Sequence, residues 1–260
     1  MCIFKLFLKH TKHFFLAKHT GGHGVHSPYF FQFTQFVLNE KYPYYSFDKI
    51  ERLRNSLLID KRRLNIVDFG TKGNRTESVA SIAKTSIKPK RQAQLLYRIA
   101  NYIKAEHVLE LGTSLGVSTA YLASASSQIQ CVTMEGSPEI AEIAIKNFQT
   151  LGLNNIQVVV GDIDVTLENT LKEFSKLDLV FMDANHRSAA VLNYFESCLN
   201  SVSMFSVVVI DDIYWSDDME TAWKTIQEHP RVTTTIDLFH FGLVFFNTDV
   251  NKMHYKMRYW

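Results

Sequence analysis

Cysteine is scarce in this chain: Cys2, Cys131 and Cys198 are all that 260 residues contain. They are too few and too scattered for a disulfide framework or a zinc site, so a reducing compartment and a cytoplasmic location are expected. Long apolar runs are missing too, and no stretch approaches the roughly 20 residues of a membrane span. The opening M-C-I-F-K-L-F-L-K-H interrupts its apolar residues with lysines and lacks a cleavage-site pattern, which argues against a signal peptide. G-x-G-x-x-G is absent as well. At Gly112-Thr113-Ser114-Leu115-Gly116 the middle position is a serine, and no Tyr-x-x-x-Lys pair follows, so a nicotinamide dehydrogenase is disfavoured. Acidic residues are sparse at one end only. Residues 1–91 carry 17 Lys+Arg against 6 Asp+Glu, and the remainder carries 11 against 20. Two readings of that asymmetry stand: a basic cap docked on an acidic domain, or a surface for membrane phosphates or nucleic acid.

What is present begins with length and apolar content. With 260 residues, 46% of them hydrophobic, the chain holds one large α/β domain plus a small appendage. Ile3, Phe4, Phe7, Leu8, Phe14 and Phe15 recur near helical spacing between Lys5, Lys9, Lys12 and Lys18, predicting a basic amphipathic helix that lies on a membrane or on the protein's own body. His19, His23 and His26 follow in a glycine-rich turn with His10 and His13 nearby; solvated histidines in a flexible loop are expected rather than a metal site. Residues 29–38 (Y-F-F-Q-F-T-Q-F-V-L) read as a helix in the core or as a pocket wall. Residues 64–75, with Asp68, Gly70 and Gly73, imitate a nucleotide loop, but no strand–helix alternation follows, so they read as a lid or connector.

From residue 91 onward strands and helices alternate. A helix over 91–104 precedes a strand at 108–111, the glycine turn, and a helix from Ser118. A strand ends at Glu135, 25 residues after Glu110. Helices are predicted over 138–150 (capped by Ser137), 166–174, 189–199 and 219–228. Strands are predicted over 156–160, 177–182, 205–210, 232–238 and 242–247, with 252–259 an edge strand or tail. Glu110, Glu135, Asp162, Asp183, Asp211 and Asp212 fall at the carboxyl ends of strands, where ligands of open α/β sheets bind.

On these residues the sequence resembles the class I S-adenosylmethionine-dependent methyltransferases over roughly residues 91–247, and most of all the small O-methyltransferases of the catechol and caffeoyl-CoA type. E-L-G-T-S-L-G-V-S matches their cofactor loop, and K-R-Q-A-Q-L-L from Lys90 resembles the helix before it. The resemblance implies a doubly wound, mostly parallel, seven-stranded Rossmann-like sheet in residues 91–260. Residues 1–90 form an N-terminal helical cap or lid; their H-G-V-H-S-P resembles the start of a family of uncharacterised bacterial methyltransferases. It further implies that Glu110, Gly112, Gly116 and Ser118 line the methionine end of S-adenosylmethionine, Glu135 holds the ribose and Asp162 lies near the adenine. Thr113, Ser114, Gly136, Gly161 and Asp183 complete that set.

The same enzymes hold a metal on an acid after the fourth strand and an Asp-Asn pair after the fifth. Asp183 matches the first and Asp211-Asp212 stands at the second, so Mg²⁺ is implied on Asp183, Asp211 and Asp212. Asp212 replaces an amide, however, and the competing reading makes the pair caps of the next turn and helix. Tyr214-Trp215 resembles the aromatic pair that follows. His186 stands where the family has a lysine base, making Asp183 and His186 the implied catalytic residues. The implied reaction is O-methylation of a small hydroxylated acceptor. Asp183-Ala-Asn-His186 is not the Asn/Asp-Pro-Pro-aromatic of amino-methyltransferases, so nucleic acid is disfavoured. An RNA methyltransferase and a degenerate, membrane-associated binding module remain the alternatives, with peripheral membrane contact through residues 1–18 and a homodimer open.

Overall fold

The alternation of short buried runs with amphipathic stretches is realised throughout the chain. A computed structural model describes residues 3–67, 69 and 73–259, with residues 3 and 4 described by their backbone alone. In chain order the elements are α1 (Ile3–Leu16), α2 (Pro28–Phe33, continued by a π turn over Thr34–Leu38), α3 (Tyr45–Leu57), β1 (Arg63–Ile66), β2 (Arg75–Ser78), α4 (Val79–Ser86), α5 (Lys90–Tyr102), β3 (His107–Leu111), α6 (Val117–Ala123), β4 (Gln130–Glu135) and α7 (Pro138–Leu151). They continue with β5 (Ile156–Val160), α8 (Ile163–Leu171), β6 (Leu177–Met182), α9 (Ser188–Leu199), β7 (Val202–Asp211), α10 (Asp217–Glu228), β8 (Thr234–Asp237), β9 (Phe241–Phe245) and β10 (Met253–Lys256). Among the described residues, no helix is long and apolar enough to cross a membrane.

Eight strands form one mostly parallel sheet in the order β10-β8-β9-β7-β6-β3-β4-β5, and β1 and β2 form a separate antiparallel pair. Seven strands were expected. The eighth is β10, which runs parallel to β8 with Tyr255 opposite Ile236, because Tyr255 and Met257 have apolar neighbours to bury against.

The chain divides into two compact units, Lys41–Phe174 on the one hand and Met1–Glu40 with Ser175–Trp260 on the other. In the first, β3, β4 and β5 are parallel neighbours. Val108, Leu109 and Leu111 are fully buried, as a strand covered on both faces requires. Phe47, Ile50, Leu57, Leu64 and Ile66 share one core with Ala93, Tyr97, Leu115, Val117, Tyr121 and Ile140. The basic stretch before residue 90 therefore contributes to the core that the glycine-turn helix also packs into.

In the second unit β6 and β7 run parallel, while β9 runs antiparallel to both β7 and β8. Phe30 and Phe33 of α2 are fully buried and meet Phe245 edge-on at 4.9 and 5.3 Å, so one face of the aromatic stretch at 29–38 is core, while Phe31 and Phe36 are exposed. Residues 64–75 resolve into the β1–β2 hairpin; Asp68 and Gly70 lie outside the described residues.

Three local expectations shift. α8 starts at Ile163 rather than 166, because Asp162 accepts the Asp164 N–H and caps the helix. Ser137 sits at the N-cap of α7 but makes no capping bond; its hydroxyl accepts the Val67 N–H instead. The histidines are not uniformly solvated. His23 and His26 are exposed, but His13 is 3% exposed and bonded to Asp237, and His19 takes the Lys256 N–H on Nδ1.

Candidate active site

The glycine turn after β3 is built from left-handed backbone: Gly112, Ser114 and Gly116 have φ of 102°, 47° and 79°. Gly116 has a second reason to be glycine, since a Cβ there would stand 2.5 Å from the Phe148 ring of α7. The amides of Gly112 and Thr113 both donate to the Met134 carbonyl at 3.0 Å, pinning the turn to β4. The next amide, that of Ser114, donates to Glu135 Oε2 at 2.8 Å, and Ser137 N–H donates to Oε1 at 2.9 Å. The Glu135 carboxylate is thus turned toward the glycine turn and held by two backbone donors.

Beneath it, Glu110 lies opposite Thr133 in the β3–β4 register and is wholly buried. Its Oε2 accepts the hydroxyls of Thr133 (2.7 Å) and Thr119, and Thr133 in turn meets the Thr113 hydroxyl at 2.6 Å. Burial pushes the Glu110 carboxyl up to about 7, against the lowering effect of the Ser118, Thr119 and Thr133 hydroxyls. Its other oxygen, Oε1, is buried without a hydrogen-bond partner among the described residues. A buried acceptor lacking a donor fits a ligand that brings an N–H or a cation. α6 enters at Gly116 with no side-chain cap.

Gly161 (φ 144°) donates its N–H to the Glu135 carbonyl at 2.9 Å, bringing the end of β5 to the end of β4, with Asp162 committed to the cap of α8. Sequence reasoning missed one participant. Asn65 of β1 donates through its backbone and side-chain N–H groups to Glu139 of α7, at 2.6 and 3.2 Å. The hairpin held this way places the half-exposed Phe69 ring against Gly136, where a Cβ would come within 2.9 Å of it. The only sequence signal was an aromatic residue in a loop.

The second unit carries the other predicted residues. After β6 the chain turns at Asn185 (φ 54°), which returns His186 Nε2 to 3.6 Å from Asp183 Oδ1. Asp211, the last residue of β7, is 1% exposed. One ligand atom from each of Asp183, His186 and Asp211 lies within 4.8 Å of the others. Asp212 is not in this group: its backbone turns left-handed at φ 51° and its carbonyl accepts the Trp215 N–H at 2.8 Å. The two carboxylates suit a divalent cation that keeps coordination positions open, with the imidazole beside them.

The aromatic pair beyond splits. Tyr214 donates its hydroxyl to the buried Asp237 at 2.7 Å and stacks on Phe239, whereas Trp215 is 51% exposed.

A methyltransferase-domain family model matches residues 109–213. A catechol O-methyltransferase of Mycobacterium tuberculosis is 33% identical over 159 residues, which are 56% of this chain and 70% of that protein. Another catechol O-methyltransferase, of Niastella koreensis, is 28% identical over 137 residues, 52% of this chain and 61% of its own. Among solved structures, cofactor-bound Rv0187 from MTB superposes with a TM-score of 0.56 at 32% identity, covering 63% of this chain and 83% of that one. An O-methyltransferase from Bacillus cereus in complex with SAH gives 0.57 at 21% identity over 81% and 96%, a likeness of fold.

Proposed function

Because the chain belongs to the class I S-adenosylmethionine-dependent O-methyltransferases, we propose that its acceptor is a small hydroxylated molecule, that Asp183 and Asp211 hold a divalent cation, and that His186 is the base. The observation that carries this reading is the convergence of Asp183, His186 and Asp211 at the ends of β6 and β7. The catechol O-methyltransferases to which the chain is similar support an acceptor of that kind.

The cofactor supplies a methyl group on a sulfonium, already activated for displacement. Glu135 receives the ribose hydroxyls, its carboxylate already oriented by Ser114 and Ser137. The unpartnered Oε1 of Glu110 takes a donor from the amino-acid end, with Gly112, Thr113, Gly116 and Ser118 shaping the space around it. Gly136, with Phe69 beside it, and Gly161–Asp162 bound the base. Asp183 and Asp211 would hold a divalent cation, which when bound would supply a Lewis acid beside the acceptor hydroxyl. His186 Nε2 accepts the acceptor hydroxyl's proton as the acceptor oxygen bonds the methyl carbon and the S–CH₃ bond breaks to leave S-adenosylhomocysteine, and alignment of oxygen and methyl contributes on the order of 7–11 kcal/mol. Asp212 is assigned no role in this scheme.

The two sets of residues lie in different units, so binding and turnover report on them separately. With labelled cofactor and catechol-type acceptors, turnover is expected to need Mg²⁺, to stop with EDTA, and to fall about 10²–10⁴-fold in His186→Ala. In Asp211→Asn turnover is lost while calorimetric affinity for S-adenosylhomocysteine is retained. Glu135→Ala does the opposite, weakening that affinity sharply. Turnover indifferent to chelator and to Asp211→Asn removes the cation assignment.

A further inference from the structure

α1 is strapped to its unit by its polar side and shows water its apolar one. Lys5 and Lys9 bond Asp217, the latter at 2.8 Å, and Lys9 also reaches Glu220 at 3.0 Å. His13 Nε2 lies 2.9 Å from Asp237 Oδ1, and Ala17, just beyond the helix, is buried. Arg258 bonds the Phe14 carbonyl at 3.1 Å and places its guanidinium 3.9 Å from the centre of that ring. The opposite side carries Phe7 (63% exposed), Leu8 (51%), Phe15 (72%) and the outer part of Phe14 (36%). At 100° per residue these four span roughly 120° of the helix, a largely apolar sector whose one polar member among them, Thr11, turns its hydroxyl back to the Phe7 carbonyl at 3.0 Å. A helix whose task is to cover a core has the reverse arrangement. Single exposed apolar side chains are ordinary, but a contiguous set of large ones marks a docking surface.

Charge selects the occupant. No Asp or Glu occurs among residues 1–39, so every charge of α1 and the turn after it is basic. Lys12 and Lys18 are exposed alongside the apolar sector. A second copy seated face to face would bring like charges together, whereas an anionic bilayer complements them. We infer that the outward face of α1 docks this protein on an anionic membrane surface.

Flotation of the full-length protein with vesicles tests this. Binding is expected to phosphatidylcholine vesicles containing phosphatidylglycerol, weakly if at all to phosphatidylcholine alone, and to weaken as salt is raised. Phe7→Ser/Phe15→Ser is expected to reduce partitioning at least about tenfold, and Lys12→Ser or Lys18→Ser about fivefold each. These side chains are exposed, so thermal unfolding and S-adenosylhomocysteine binding of the variants stay at the parent level; a loss of cofactor binding would instead indict the methyltransferase fold. Failure to float with anionic vesicles overturns the inference. So does a dimer in sedimentation that Phe7→Ser/Phe15→Ser converts to a monomer without any vesicle binding, since the occupant is then a second copy.

Discussion

Two carboxylates, one in each unit, are withdrawn from water to the same degree: Glu110 is 0% exposed and Asp237 2%. Their surroundings drive them in opposite directions. Burial pushes Glu110 up to about 7, and its donors are neutral hydroxyls. Asp237 meets the same burial penalty but stays below its ordinary value, because His13, Lys256 and Tyr214 surround it, with the Phe239 N–H a further donor at 2.9 Å. The contrast extends to their neighbourhoods. The glycine turn holds Glu135 with backbone amides and owes its shape to residues that tolerate left-handed φ. The strap on α1 is held by charges. Cradles built from backbone keep a fixed shape for a small ligand, while charge pairs hold an element that conditions can release.

The sharpest way to break the contrast is Asp237→Ala. It leaves His13, Lys256 and Tyr214 without their shared acceptor, and a loss of about 3–5 kcal/mol is expected in denaturant unfolding. Proteolysis within α1 should rise more than cleavage elsewhere. Acid should imitate the variant. Asp237 and Glu220 lie below their ordinary values, and the bonds from Lys5 and Lys9 pull Asp217 down to about 2. The stabilisation they give is present above about pH 4 and fades as pH falls below it.

Glu110→Gln sharpens the comparison from the other side. A carboxyl raised from 4.5 to about 7 binds a proton in the folded chain that the unfolded chain has released, so stability declines between those values. The full decline is about 3 kcal/mol. Melting of the cofactor-free protein should drop from pH 5 to pH 8, and the Gln variant should flatten that profile; parallel profiles would show that Glu110 is not the group responsible. Gly116→Ala has the smallest expected effect, about 1–3 kcal/mol in urea unfolding, from the Phe148 clash and the left-handed backbone. Salt should leave that cost unchanged.

Local chemistry made much of this legible. Leu177–Met182 is a strand over the residues that its apolar run predicted, and the turn from Gly112 to Gly116 opens a helix as its glycines required. Glu135 could be picked out by its distance from Glu110 because the β–turn–α repeat sets that spacing. What escaped was whatever depends on partners distant in sequence. His13 looks like one of many histidines until Asp237, 224 residues on, is seen against it. The β1–β2 pair was disguised by an acid and glycines that suggest a phosphate loop, and its register comes only from pairing Leu64 with Glu77. The early start of β7 reflects Ser203 and Ser206 bonding each other beside a register shift against β6, which no apolar pattern announces. In the metal reading, sequence proposed Asp212 and the geometry groups His186 instead, because a left-handed residue redirects the chain there.

The unit that holds α1 is discontinuous: its first forty residues belong with chain that begins 135 positions further on. His19 exchanges backbone and ring hydrogen bonds with Lys256, and Thr20 accepts the Arg258 N–H at 2.9 Å. During synthesis, residues 41–174 emerge as one continuous stretch, whereas α1 waits for Asp217, Asp237 and Arg258, each more than 200 residues further on. Lys5, Lys9 and His13 lack their acidic partners for that interval beside an apolar side that is open throughout, which makes this stretch of nascent chain a target for chaperones.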